Sequence, residues 1–266
     1  MSYYRVVAID IDGTLLGHER SISMRDQDAI RRALAAGVIV TLASGRMFPL
    51  IEPLVWQLGL TAPTICYGGA LIVDPMTRQS LHQRGVPRSL AIEVIQAARD
   101  RGLAARVYLG TAVFVDEIVV GAFNYESLTR VEAIAVGNLE SFLSEDPTHL
   151  AIDAPPGITR GLVGDMRARF AGRLNVTTGH PLLTEFSHPT VHKGSALAWL
   201  CAHANIPIRK SIAIGDDWND VEMLRAAGLG VAVGNAHADV LAVADVVVPS
   251  VSDSGVAHAL DRLLQL

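Results

Sequence analysis

The chain has 266 residues, 50% of them hydrophobic, and a formal net charge of -5 at neutral pH. That length and apolar content supply one large domain or two modest ones and exclude a disordered chain, while the acidic balance and the lack of any dense Lys/Arg block argue against nucleic-acid binding. Cys66 and Cys201 stand apart in apolar surroundings, which argues against a disulfide framework, and no apolar run approaches the roughly 20 residues of a membrane-spanning helix.

Met-Ser-Tyr-Tyr-Arg leads directly into the first predicted strand and leaves no room for a charged leader with an apolar signal core, so a cytoplasmic protein is expected. The run Val6 to Thr14, Val-Val-Ala-Ile-Asp-Ile-Asp-Gly-Thr, is a buried strand that breaks at Gly13, just past two aspartates. Asp10 and Asp12 can therefore turn toward one point beyond the carboxyl end of the strand, where open α/β sheets bind their ligands. Two carboxylates that close repel unless a cation joins them. With Mg²⁺ on one oxygen of Asp10, its other oxygen is available as a nucleophile, and Asp12 as general acid and base. A solvated strand end with an Asx-type turn is the alternative for a bare Asp-x-Asp-Gly.

Ser23 to Asp26 resembles a capping box for a helix that buries Ala29, Ile30, Ala33 and Leu34 and closes at Gly37. Val38 to Leu42 is the next buried strand and leads into Ser44-Gly45-Arg46, where a hydroxyl and loose backbone amides suit a phosphate oxygen. Arg46 either contacts an anion or lies on the surface. A helix over Leu50 to Leu58 and short strands at Thr64 to Cys66 and Leu71 to Val73 follow, around Tyr67-Gly68-Gly69-Ala70. From about Gln83 the pattern changes to a helix from Pro87, an alternating stretch from Arg106 to Asp116 that turns at Gly110, and strands at His149 to Asp153, Leu174 to Thr178 and Leu182 to Phe186, with a helix near Ile158 to Phe170. The first pattern resumes with a helix from Lys193, a strand Ser211 to Ile214, a helix Val221 to Ala227, and strands Gly230 to Val233 and Val246 to Val248. Strands alternating with helices at both ends predict a doubly wound, Rossmann-like parallel-sheet α/β core made of residues 1–82 and 186–266, with residues 83–185 inserted as a separate α+β domain.

Ser211 to Gly215 discharges into Asp216-Asp217-Trp218-Asn219-Asp220, and nothing in folding requires three aspartates and an asparagine there. Asp216 is placed to complete the cation site, Asn219 to reach the phosphate or the surroundings of the nucleophile, and Asp220 to orient metal-bound water or a nearby lysine. Asp217 and Trp218 are read as structural, with Trp218 packing at the rim. Lys193, at the start of its helix, either enters the same mouth to offset phosphate charge or is a solvated helix-start lysine. His180, His188 and His192 do not form a recognised zinc spacing and are read as surface or hinge residues.

Asp10-Ile11-Asp12-Gly13-Thr14, Ser44-Gly45-Arg46, Lys193-Gly194 and Gly215-Asp216-Asp217-Trp218-Asn219-Asp220 together resemble, in order, the four motifs of the haloacid dehalogenase superfamily. The insert between the second and third motifs, with Val233-Gly234-Asn235-Ala236 and Asp253-Ser254-Gly255-Val256-Ala257, resembles the Cof-type phosphatases with a large α/β cap. The resemblance implies that Asp10 attacks phosphorus to form an aspartyl-phosphate, and that Asp12 protonates the leaving alcohol and then activates water. It further implies Mg²⁺ on Asp10, the backbone carbonyl of Asp12 and Asp216, and phosphate held by Ser44, the amides of Ile11 and Gly45, Lys193 and Asn219. The substrate implied is a small phosphorylated metabolite, such as a sugar phosphate, with no nucleic-acid, membrane or obligate protein partner. The alternatives are a phosphomutase of the same superfamily and a non-catalytic phosphometabolite-binding protein.

The chain departs from its relatives at Tyr67-Gly68-Gly69-Ala70, where Asn-Gly-Ala is frequent, and at His192, where a small polar residue commonly precedes the lysine. Hinges are expected at Leu81 to Gly85 and Leu183 to Thr190. Arg106, Tyr108, Asn124 and Tyr125 are the insert residues considered for contact with the leaving group, each also explicable as structural.

Overall fold

A computed structural model of the chain describes residues 3–118, 131–178 and 181–264. β1 (Val6–Ile9) is apolar and wholly buried at every position, as a strand covered on both faces must be. It is followed by α1 (Met24–Ala35), β2 (Ile39–Leu42), α2 (Phe48–Leu58), β3 (Thr64–Cys66), β4 (Leu71–Val73) and β5 (Ser80–Gln83). Next come α3 (Arg88–Arg99), β6 (Ala104–Leu109), β7 (Ala112–Val115), β8 (Ala133–Ala135), α4 (Leu139–Phe142), β9 (His149–Asp153), α5 (Pro156–Arg169), β10 (Asn175–Thr177) and β11 (Leu183–Ser187). The chain continues through α6 (Lys193–His203), β12 (Ser211–Gly215), α7 (Val221–Ala226), β13 (Leu229–Val233), α8 (Ala238–Leu241), β14 (Val246–Val248) and α9 (Gly255–Leu264).

The chain divides into two compact units, Met1–Leu81 with His192–Leu266, and His82–Val191. In the first, a five-stranded sheet runs β14-β13-β12-β1-β2 with every pair parallel. β1 lies between strands from opposite ends of the chain, so the carboxyl ends of β12, β1 and β2 border the crevice that such a reversal of strand order creates. Helix α2 begins two residues before the expected Leu50, because Pro49 fits the first helical turn, where no amide donor is required.

Ser23 caps α1 as predicted, but the Asp26 side chain, instead of closing the box on the Ser23 amide, ties down the far end of the chain. Ser23 Oγ accepts from the Asp26 amide and donates to its carboxylate, and the buried Asp26 accepts from the Ala257 amide at 2.7 Å, capping α9 across the fold. Asp26→Ala removes an acceptor from both helix starts, and we expect a loss of about 1–3 kcal/mol in unfolding free energy by urea denaturation.

In the second unit a six-stranded sheet runs β10-β11-β9-β6-β7-β8, antiparallel except between β7 and β8. Ala105, Val107, Leu150, Ile152 and Phe186 join Val94, Ile95, Met166 and Phe170 from the helices in one apolar core. The alternate positions form the opposite, polar face. There Arg106 Nε donates to both oxygens of Asp153 at 2.8 Å, His149 Nε2 lies 3.5 Å from Glu185, and the Tyr108 ring meets the His149 ring edge-on. Arg106 and Tyr108 are thus buried members of one polar row; Asn124, Tyr125 and His180 lie outside the described residues.

The second crossing between units falls after Val191 rather than near residue 185. β11 continues to Ser187, and Asn175 Nδ2 donates to the carbonyls of His188 and Val191, which keeps the following turn with the second unit. Most of the stretch from Leu183 expected to act as a hinge is therefore strand.

Candidate active site

The Asp10 amide donates to the Ile214 carbonyl and the Ala43 amide to the Ile9 carbonyl, so β12, β1 and β2 stay in register up to their ends and open side by side. Beyond Asp10 the buried Ile11 carbonyl accepts from the amides of Leu15 and Leu16, which turns the chain back sharply. Gly13 has φ +90°, and a Cβ there would lie 2.1 Å from Asp216 Oδ2, so glycine is required both by the backbone and by the carboxylate packed on it.

Lys193 is buried to 1% exposure, which overturns the reading of a solvated helix-start lysine. Its Nζ donates to Asp10 Oδ1 at 2.6 Å, Asp220 Oδ1 at 2.7 Å and Asn219 Oδ1 at 3.0 Å, using the three donors of an ammonium. Burial pulls its pKa down, but Asp10 and Asp220 outweigh that and push it above the ordinary lysine value, holding the ammonium protonated. The preceding His192 caps α6: its Nδ1 accepts from the Ser195 amide at 3.1 Å. A Cβ on Gly194 would lie 2.2 Å from the Glu222 carbonyl, so the glycine after the lysine is what lets α6 seat against α7.

Asp10, Asp216 and Asp220 each present a carboxylate oxygen within 4.8 Å of the others. Burial pushes the Asp10 carboxyl well above its usual range, Asp220 pushes it further, and Lys193 pulls it back. Burial likewise raises Asp216 to about 6, with Asp220 and Asp217 adding to it and the hydroxyl of Thr14, 2.8 Å away, opposing. One ammonium facing three carboxylates leaves an excess of negative charge that a divalent cation balances.

The three carboxylates are not equivalent toward such an ion. Asp220 Oδ1 accepts from Lys193 and Oδ2 from the amides of Asp216 and Asp217, so it is occupied as an organiser of the loop and of the lysine. Asp10 Oδ2, by contrast, is buried with no hydrogen-bond partner. The hard oxygen donors of Asp10 and Asp216 fit Mg²⁺, with Asp220 behind them.

On β2's side, Ser44 is buried, its amide donates to the Ile65 carbonyl, and its Oγ accepts from the Arg46 amide at 3.1 Å, leaving the hydroxyl proton to be donated. The unusual Tyr67-Gly68-Gly69 turn supports this loop: Gly68 donates to the Ser44 carbonyl and Tyr67 to the Arg46 carbonyl. Gly45 is exposed within it. Arg46 does not lie free on the surface: its guanidinium contacts the Asp12 carboxylate, with Nε 2.8 Å from Oδ2 and a second contact from Nη2 to Oδ1.

Sequence reasoning gave no role to Thr14, Asn235 or His237. Thr14 holds Asp216, the Asn235 amide donates to the Gly13 carbonyl while its oxygen accepts from Val251, and the His237 amide donates to the Asp216 carbonyl. These are long-range supports with no spacing signal, although Thr14 and Asn235 lie inside the segments that carry the family resemblance. Trp218 stays 59% exposed, stacked on His237 at 4.0 Å with its indole N–H on Asp239. The arrangement as a whole offers a carboxylate with one oxygen fixed on an ammonium and the other unpartnered, in a site that also holds further carboxylates and a buried hydroxyl at Ser44.

A model of the haloacid dehalogenase-like hydrolases matches residues 7–260. The phosphatase YwpJ of Bacillus subtilis is 28% identical over 98% of this chain and 100% of its own. Pyridoxal phosphate phosphatase YbhA of Escherichia coli is 26% identical over 96% of each. Among solved structures, TM0651 from Thermotoga maritima superposes with a TM-score of 0.85 at 28% identity, over 97% of both chains.

Proposed function

The chain belongs to the haloacid dehalogenase-like hydrolases and is a phosphatase of the Cof type, and from that premise we propose that it is a Mg²⁺-dependent hydrolase of small phosphate monoesters, sugar phosphates or related metabolites, working through an aspartyl-phosphate. The observation that carries this reading is Asp10: buried, with one oxygen anchored on Lys193 and the other unpartnered. When bound to Asp10, Asp216 and the Asp12 carbonyl, Mg²⁺ supplies the positive charge that lets a phosphate dianion approach a carboxylate.

The chain's own groups do the rest. Ser44, the amides of Ile11 and Gly45 and the Asn219 amide hold the phosphoryl oxygens, and Lys193, whose donors are taken by Asp10, Asp220 and Asn219, offsets their charge until substrate competes for one of those donors. Asp10 attacks phosphorus as the ester P–O bond breaks, and Asp12 gives a proton to the departing alkoxide. Water then attacks the aspartyl-phosphate, losing its proton to Asp12, and Asp10 leaves as a carboxylate. Residues 82–191 choose the leaving group. Names among the relatives, pyridoxal phosphate phosphatase and 5-amino-6-(5-phospho-D-ribitylamino)uracil phosphatase, support a metabolite monoester as substrate.

The test is release of inorganic phosphate from p-nitrophenyl phosphate and a panel of metabolite monoesters, with Mg²⁺ or EDTA, paired with thermal melts. Turnover is expected only with the metal. Because Asp216 keeps its proton until about pH 6 and must release it to bind a cation, the melting shift produced by a fixed Mg²⁺ concentration is expected to be larger at pH 7 than at pH 5. A folded chain that turns over nothing, or whose turnover survives EDTA, would sink the proposal.

A further inference from the structure

Arg46 is built into the site from both ends. Its amide donates to Ser44 Oγ, its carbonyl accepts from Tyr67, and its guanidinium meets both oxygens of Asp12. Tyr67 itself holds φ 49°, a left-handed conformation uncommon outside glycine, so the turn that anchors Arg46 is maintained at some conformational cost. Asp12 is 59% exposed at its side chain and would otherwise sample several rotamers. A planar fork on both oxygens fixes the plane of the carboxylate, uses one lone pair of each oxygen, and leaves the outer lone pairs available.

We propose that Arg46 is the positioning residue that holds Asp12 as an oriented carboxylate for the second half-reaction, the hydrolysis of the aspartyl-phosphate. This rests on the phosphatase reading given above. In that half the water oxygen forms its bond to phosphorus as the Asp10 Oδ–P bond breaks, the electron pair returns to Asp10, and the water proton passes to Asp12. A guanidinium fork matches the carboxylate, which is the form that accepts this proton. In the first half Asp12 instead delivers a proton, and p-nitrophenolate leaves without one. Loss of Arg46 therefore falls on the step common to all substrates and spares phosphoryl transfer from p-nitrophenyl phosphate.

The experiment compares the intact chain with Arg46→Ala and Arg46→Lys on p-nitrophenyl phosphate, by steady state and by rapid quench, after far-UV circular dichroism confirms folding. For Arg46→Ala, kcat is expected to fall about 10- to 100-fold, while kcat/KM stays within about twofold, so that KM falls with kcat. Rapid quench should then show a burst of p-nitrophenol stoichiometric with enzyme, with phosphoenzyme accumulating. Arg46→Lys, which keeps the charge but loses the fork, should fall between the two. Equal losses in kcat and kcat/KM, or no loss in either, would overturn the inference while leaving the phosphatase reading intact. An intact chain with no turnover would overturn that reading, and the inference with it.

Discussion

Asp10→Asn should abolish phosphate release, by about 10⁴-fold or more, because a neutral amide cannot act as the nucleophile proposed for Asp10. The same substitution should raise the melting temperature measured in EDTA. Asp10 sits in a buried cluster whose carboxylates outnumber its ammonium, and burial with Asp220 pushes its carboxyl well above the usual range. A carboxyl with a raised folded-state value weakens the fold as pH rises above its unfolded value, so at pH 7 the ionised group is a burden that the neutral amide lacks. The amide oxygen still accepts from Lys193, and its NH₂ is offered to the Asp10 Oδ2 position, where the carboxylate has no partner. Loss of turnover together with a higher melting temperature separates chemistry from folding. Turnover within tenfold of the intact chain would remove Asp10 from the role of nucleophile.

Why so much of this site was legible follows from where its residues lie. Asp10, Ser44 and Asp216 each follow a largely apolar strand within a residue or two, and a strand that ends in carboxylates or a hydroxyl announces a crevice. Lys193 was ambiguous because a lysine at a helix start carries the same local signal whether solvated or buried; only the arrival of Asp10 and Asp220, 183 and 27 residues away, decides it. Arg46 was ambiguous for the same reason. In the fold, β8 and α4 span three and four residues, too few for a period to be read, and β5 is half exposed without a clear apolar alternation. α9 was missed although its apolar face is strong, because its start is capped from a distance by Asp26 rather than by a neighbour. Local patterns were readable; partners brought in by tertiary structure were not.

Lys193→Met should be damaging in both stability and activity, and the two losses should respond differently to a second change. Met keeps most of the apolar stem of lysine but takes the Nζ donor from Asp10 Oδ1, Asp220 Oδ1 and Asn219 Oδ1, leaving Asp220 only the loop amides on its other oxygen. Stranding buried carboxylates in this way costs about 3–5 kcal/mol, read as a lower urea midpoint in EDTA. Turnover should fall about 10²- to 10³-fold, since a preorganised positive charge beside the phosphoryl oxygens is lost. Adding Asp220→Asn removes one of the stranded charges while its amide oxygen can still accept from the Asp216 and Asp217 amides. The double variant should therefore recover more than half of the lost stability, a coupling expected of residues that share one network. None of the turnover should return, because the missing charge acts on the substrate. If the double variant were less stable than Lys193→Met alone, Asp220 would owe its place to the loop amides rather than to Lys193, and the lysine's burial would have to be explained by packing.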